Sequence, residues 1–298
     1  MSCLKEHGAL VLDKPAGMTS FDVIRRIKKY SPSSKIGHCG TLDPMATGLL
    51  VILFGKATRL QSVFLGARKS YEGEILFGQT TDSDDVSGKV VTKTDFNGFG
   101  PDDIENLKSS FSGAIEQTPP SYSAIKVNGR RSYELARKGE DVELKSREVE
   151  IHKLELEQLG KDVLSYSVDC SKGTYIRSLA RDMGESLGVG ACLQTIRRIH
   201  SSPFDITQAS SLEKIDSPEA FKEASLDISE LLAQLPSLQL NDADCESLRC
   251  GQQSVLEGHN PGQLDDQLAA VFSNSGEFRG VIQRISPKSP IWEIRFMM

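Results

Sequence analysis

The sequence predicts an α+β protein. Strand-like and helix-like segments follow one another without a fixed repeat. One long segment alternates apolar and polar residues strongly, and the residues after Pro236 hold only short strand signals. At 298 residues, with 38% hydrophobic and 26% charged residues, the chain can bury a substantial core, as one large domain plus a small one or as two ordinary ones. The longest uninterrupted apolar run, Leu49 to Phe54, is far short of a membrane span. The N-terminal "MSCLKEHG" has no apolar signal region, so a cytoplasmic location is expected.

The elements can be read in order. "GALVLDKPAGMTS" is a short buried strand running into a Pro/Gly turn. "TSFDVIRRIKKY" places Phe21, Val23, Ile24 and Ile27 at helical spacing behind a Thr/Ser cap, and Ser31-Pro32 ends that helix. "LLVILFG" is a buried strand, "KATRLQSVFL" a short helix, and "KSYEGEILFG" a strand with partial alternation. "TTDSDDVSG" is a polar, turn-rich loop. "PDDIENLKSSFSG" is a helix with acids in its first turn, where they complement the helix dipole.

Residues 121–138 carry five basic residues against one acid, with Tyr122 and Tyr133 interleaved. They suggest a protruding arm: strand, Asn-Gly turn, short helix, and return to the alternating strand. Then come a strand, a Lys-Gly turn and a helix in "VLSYSVDCSKGTYIRSLARDMGESLG", and another strand in "ACLQTIRRIHSSPF". A single helix is expected over "SPEAFKEASLDISELLAQL", with the domain boundary at Pro236. "AAVFS", "FRGVIQRI" and "IWEIRF" supply strands for a small β domain.

The net charge of −6 conceals an asymmetry. Residues 1–70 have eleven Lys/Arg against four Asp/Glu, a balance of +7, while residues 205–278 have three against fourteen, a balance of −11. A local basic surface for a polyanion is therefore compatible with an acidic average, as are oppositely charged solvated faces. The six cysteines are scattered and form no C-x-x-C pair, so reduced thiols are expected, with no metal.

The segment "GHCGTLDPMATGLLVILFG", Gly37 to Gly55, sets Asp43 between Leu42 and Pro44 in a glycine-bounded turn. Proline restricts the residue before it, so Asp43 is held extended or in a turn; a capping role for the carboxylate is the plainer alternative. Acting alone, it does not suit glycoside hydrolysis, which normally uses two acids. "FGKATR" lacks the glycine spacing of a phosphate loop. A nucleophilic aspartate with an arginine partner and an aromatic platform fits the residues.

Along nearly its whole length the chain resembles the TruB family of tRNA pseudouridine synthases. The motifs are "LVLDKPAGMTS", "KIGHCGTLDPMATGLLVILFGKATRL", "KSYEGEILFGQTTDSDDVSG", "QTPPSYSAIKVNGRRSYELARKG", "CSKGTYIRSLARDMGESLG" and "LQTIRRIHSSPF", in this order. The resemblance implies a large mixed, mainly antiparallel sheet flanked by helices, crossed by an RNA cleft. It implies a catalytic domain over 1–236, with an RNA-clamping insertion at about 120–147, and a reduced PUA-like domain over 237–298. The implied activity is isomerisation of a flipped uridine of the tRNA T loop, position 55 in tRNA numbering, to pseudouridine. No cofactor, membrane or obligate protein partner is implied, and a monomer is expected.

By the same resemblance Asp43 is the nucleophile. Attack on sugar C1′, attack on base C6 and assistance to elimination all remain open. Tyr71 stacks on the target base, Arg177 pairs with Asp43, and Tyr175 and Ile196 line the base pocket. His38 fills the space left by flipped bases, and Lys14 lies near the site. Lys126, Arg130, Arg131, Arg137 and Lys138 of the arm suit phosphate contact. On residue type alone, Tyr71, Tyr175 and Ile196 also fit a packed core, and Arg177 a helix cap. A non-catalytic RNA chaperone would not need Asp43 and Arg177 together; a small-molecule enzyme would leave the basic arm unexplained.

Overall fold

A computed structural model of the chain describes residues 6–123, 126–127, 129–132, 135, 144–233, 235–257, 268–284 and 292–297. The chain divides into two compact units. One comprises residues 1–43, 49–67 and 201–298; the other comprises 44–48 and 68–200.

The first unit opens with β1 (Gly8–Lys14), apolar and buried almost throughout, followed by α1 (Ser20–Lys28), β2 (Ile36–His38) and β3 (Thr47–Phe54). Helix α1 starts where Thr19 and Asp22 cap each other: the Asp22 amide donates to Thr19 Oγ1, and the Thr19 amide donates to the Asp22 carboxylate, both at 3.0 Å. Its Val23, Ile24 and Ile27 are buried, while Arg25, Arg26 and Lys28 project from its last turn. The hydroxyl and amide of Thr19 also hold down the Asp22 carboxyl, keeping it below its ordinary range.

Strand β2 pairs antiparallel with β3. Segment Ser225–Asp227 pairs antiparallel with β1, and Ser210–Ser211 pairs with it in parallel. The single helix expected over "SPEAFKEASLDISELLAQL" is therefore broken into Pro218–Ala224 and Ile228–Leu232. Pairing with β1 satisfies backbone groups that a continuous helix would have used internally; tertiary context overrides the helical period.

The terminal segment of this unit is a four-stranded sheet in the order Ser237–Leu240, Leu268–Ser273, Phe278–Arg284, Trp292–Met297. Alternation sends its two faces to different cores. Leu268, Ala270 and Val281 join the core of Val11, Cys39, Leu49, Val51 and Leu53. Ala269, Val271 and Ile282 join Leu238, Leu240, Leu248 and Trp292.

The second unit holds β4 (Lys69–Phe77), β5 (Arg147–Gln158), β6 (Val163–Cys170), α2 (Ile176–Ser186) and β7 (Ala191–Ser201). Its order is β7-β4-β6-β5 with Gly113–Gln117 at the edge. The β4–β6, β6–β5 and β5–edge pairs are antiparallel. Leu164, Tyr166, Val168 and Cys170 of β6 face inward at period two. On β5 the register shifts between Ile151 and Lys153, so the buried set passes from Val149 and Ile151 to Leu154 and Leu156. At Gly73 a Cβ would lie 2.1 Å from the Thr195 carbonyl oxygen, so only glycine permits this approach of β4 to β7.

Strand β3 begins in this unit: Thr47 and Gly48 pair in parallel with Arg197 and Arg198. Among the described residues the strand pairing is mixed and mainly antiparallel, as expected. Among the described residues no helix is long and apolar enough to cross a membrane.

Candidate active site

The loop that carries Asp43 lies in the first unit, between β2 and β3. Cys39 is fully buried, and its amide donates to the Val51 carbonyl at 2.8 Å, anchoring the loop against β3. Gly40 follows at φ 112°, a conformation L side chains rarely adopt, which turns the chain away from the strand. Two residues on, Leu42 is buried and both its backbone groups meet one side chain. Its amide donates to Ser20 Oγ at 2.8 Å, and the Ser20 hydroxyl donates to its carbonyl at 3.2 Å. Asp43, the next residue, is only half-buried.

Lys14, at the end of β1, has no solvent-exposed surface. Its Nζ donates to the carbonyls of Pro15 at 2.8 Å and Met18 at 2.7 Å, closing the turn into α1. A buried ammonium is tolerated when its donors are met, and here it fixes the turn as a strand-end lysine in water would not. His38, on β2 opposite Ile52, is half-buried, and its carbonyl accepts from Gln61 Nε2 at 2.8 Å.

Arg177 lies in the second unit, at the start of α2. Arg177 is 5% exposed. It donates from Nη1 to the Ser83 carbonyl and from Nη2 to the Tyr122 carbonyl, both at 2.9 Å, and its Nε lies 3.8 Å from Asp85 Oδ2. One turn on, Arg181 lies 3.0 Å from Asp84 and 2.7 Å from Asp182, and donates to the Thr118 carbonyl at 2.9 Å. The loop "TTDSDDVSG" is thus more than a polar turn: two successive acids meet two arginines spaced i, i+4 on one helix face.

Asp85 is kept in place by Ser83, which donates to its Oδ1 at 3.0 Å, and by the Ser87 amide, at 2.9 Å, and hydroxyl. Asp84 sits at φ 61°, a left-handed conformation that Asp tolerates better than most residues. Burial pushes its carboxyl up to about 6, against the pull of Arg181.

Tyr175 precedes α2, and Gln117 grips it from both sides. The Tyr175 amide donates to Gln117 Oε1 at 2.7 Å, and Gln117 Nε2 donates to the Tyr175 carbonyl at 3.0 Å. The Arg147 guanidinium lies 5.0 Å from the Tyr175 ring centroid, which further fixes the ring. Tyr71 on β4 is 8% exposed and pairs with Val168. Ile196 on β7, the strand next to β4, is also 8% exposed. Both residues occupy positions that are packed yet reach the surface.

The residues singled out from sequence therefore fall into two sets. Asp43, Lys14 and His38 belong to the first unit; Tyr71, Tyr175, Arg177 and Ile196 belong to the second. Of the arm, Lys126–Val127 and Arg130–Arg131 form the expected hairpin around a Gly129 at φ 81°, and Arg130 is exposed. Arg137 and Lys138 lie outside the described residues, as do the side chains of Lys126 and Arg131. Ser20, Asp84, Asp85 and Gln117 were not singled out. Adjacent acids in a turn-rich loop were the only signal for two of them, and buried Ser and Gln give none.

Cys170 and Cys192 do not compete as nucleophiles. Burial pushes Cys170 up to about 12 and Cys192 up to about 11, so both remain protonated at neutral pH.

Comparison with known proteins shows the family of the chain. Residues 25–176 match the N-terminal domain model of the TruB family of pseudouridylate synthases. Residues 177–237 match a tRNA pseudouridylate synthase B C-terminal domain. The chain belongs to the TruB family.

Among TruB relatives, the tRNA pseudouridine synthase B of Aquifex aeolicus (strain VF5) is 38% identical over 94% of this chain and 98% of its own. That of Endomicrobium trichonymphae is 45% identical over 71% of this chain and 92% of its own. A crystal structure of a Cbf5-Nop10-Gar1 complex matches with a TM-score of 0.66 at 25% identity, covering 97% of this chain and 83% of that one. As a TruB member the chain is a pseudouridine synthase, an isomerase. The N-terminal match contains Asp43 and Tyr71, and the C-terminal match begins at Arg177.

Proposed function

We propose that the chain isomerises a uridine of tRNA, in the T loop at position 55 of tRNA numbering, to pseudouridine, with Asp43 as the nucleophile and without a cofactor. The reaction breaks the bond from N1 to C1′ and forms one from C5 to C1′. A proton leaves C5 and one is gained at N1, so nothing is oxidised, reduced or hydrolysed. What the reaction needs is a carboxylate at the nucleoside, a surface that holds the detached base, and a cation that keeps the carboxylate ionised.

The observation that carries this reading is the presentation of Asp43. In a TruB chain, the aspartate of "GTLDP" is half-exposed while its preceding residue is clamped and Pro44 restricts its own backbone. Arg177 supplies a guanidinium whose orientation is fixed before any substrate arrives, which is how a protein environment stabilises charge without reorganising. Tyr71, on a rigid strand, is assigned to stack on the base, and Tyr175 and Ile196 to border it. His38 is assigned to take the stacking place of an extruded base, and Lys14 to hold the turn behind the acid. Arg130, with the other arm cations, is assigned to the T-arm phosphates. The protein acts as a monomer in the cytoplasm on this reading.

The test is incubation of wild type and Asp43→Asn with unmodified tRNA, followed by chemical mapping of pseudouridine. Wild type modifies the T-loop uridine. Asp43→Asn leaves tRNA binding within a few-fold and forms no product, because an amide keeps the shape but not the nucleophilicity. Product from Asp43→Asn above a trace, or modification elsewhere by wild type, would overturn the reading.

A further inference from the structure

The structure assigns to Ser20 the role of positioning residue for Asp43, an inference that rests on the reading of Asp43 as nucleophile. Ser20 is 1% exposed and stands at the first position of α1. Its hydroxyl accepts from the Leu42 amide at 2.8 Å and donates to the Leu42 carbonyl at 3.2 Å, so a single side chain satisfies both backbone groups of the residue before Asp43. The sequence separation is 22 residues, so the contact is purely tertiary.

A backbone segment in a loop has two soft dihedrals per residue. Pro44 restricts those of Asp43 from the C-terminal side. Ser20 fixes the peptide groups flanking Leu42 from the N-terminal side, leaving Asp43 little freedom beyond its own side-chain rotation. The anchor is rigid because α1 is packed through Val23, Ile24 and Ile27. Behind it, Lys14 holds the turn that leads into the helix. Ser20 does not touch substrate in this scheme; it acts on the rate through the placement of the carboxylate, for which displacements of about 1 Å can cost about 100-fold.

The test compares Ser20→Ala with Thr19→Ala. Thr19→Ala removes the cap of α1 and leaves Leu42 held, whereas Ser20→Ala releases Leu42 and leaves the cap in place. In single-turnover assays on a T-arm hairpin, Ser20→Ala is expected to lower the chemical rate at least tenfold with Kd changed by less than threefold. Thr19→Ala is expected to keep the wild-type rate while losing thermal stability. A folded Ser20→Ala protein with the wild-type rate overturns the assignment, and so does an equal loss in both variants, which would make helix stability the cause. Should Ser20→Ala fail to fold, hydrogen exchange on wild type decides: the Leu42 amide must be protected, and rapid exchange overturns the assignment. Asp43→Asn in the same assay separates the two readings, because activity in that variant would discard the nucleophile itself, whatever Ser20 does.

Discussion

The loop that carries Asp43 and the helix that carries Arg177 hold their charged groups in opposite ways. Asp43 is held through its neighbours: Leu42 is clamped by Ser20, Pro44 limits the backbone, and the carboxylate stays half-exposed. Arg177 is held through its own side chain, which reaches two carbonyls and one buried acid and is almost wholly removed from water. The difference suits the roles proposed for the two groups. A nucleophile has to remain available to a reacting carbon, so rigidity must come from the chain on either side. A cation that serves by its field loses nothing by being enclosed, and enclosure in a low dielectric strengthens it.

The largest effect should come from Arg177→Lys. A point charge on a flexible stem cannot reproduce a planar fork, and the Ser83 and Tyr122 carbonyls would lose their donors. Pseudouridine formation should fall by about 100-fold or more, with roughly 1–3 kcal/mol of stability lost to the unmet buried groups, read by denaturant titration. A Lys variant with the wild-type rate would show that enclosure of this residue is structural only.

Truncation after residue 236 should hurt the acid side more than the cation side. It strips Leu268, Ala270 and Val281 from the core that contains Cys39, Leu49 and Val51, next to the Asp43 loop. The expected result is a lower melting temperature and a larger loss of rate than of hairpin affinity. A truncated protein with the full melting temperature and rate would mean that the Asp43 loop is self-supporting.

Gly48→Ala probes the other end of the same loop. Gly48 has φ 99°, and a Cβ would lie 2.3 Å from the Arg198 carbonyl oxygen, so β3 and β7 would have to part. Such a substitution should cost about 1–3 kcal/mol in thermal or denaturant unfolding. An unchanged midpoint would exclude strain there.

A smaller effect is expected from the arm. Arg130→Gln with Arg131→Gln should reduce the log–log salt slope of tRNA binding by about 0.7–0.9 for each phosphate no longer neutralised. An unchanged slope would make the hairpin a solvated face.

The last is a pH effect beside Arg177, on stability rather than on rate. Asp84 has a folded carboxyl pushed up to about 6 from a reference of 3.8. A raised carboxyl contributes stability that is fully present below about 3.8 and is lost as pH rises through about 6. Asp84→Asn keeps a residue that tolerates φ 61° and removes this titration. Wild type should therefore lose stability relative to Asp84→Asn between pH 4 and 7, by at most about 3 kcal/mol. Parallel pH profiles would contradict the burial of Asp84.

Much of this was legible in the sequence. The strands around "LVLD", "LLVILF" and "VLSYSV" announced themselves by apolar runs or by alternation, and α1 by its cap and 3.6-residue spacing. These are local signals, set by side-chain period and capping chemistry. The restriction of Asp43 by Pro44 is local too, and so could be read in advance. The break at Ser225–Asp227 could not, because it depends on β1 needing a hydrogen-bonding neighbour more than two hundred residues away in sequence. Nor could the acids that hold Arg177 and Arg181, or the serine that holds Leu42. Sequence by itself determined which groups carry charge and how the chain turns around them. Only the tertiary structure decided which of those groups are enclosed and what holds them, because hydrogen-bond partners separated by 22, 55 or 94 residues leave no periodic trace in the chain.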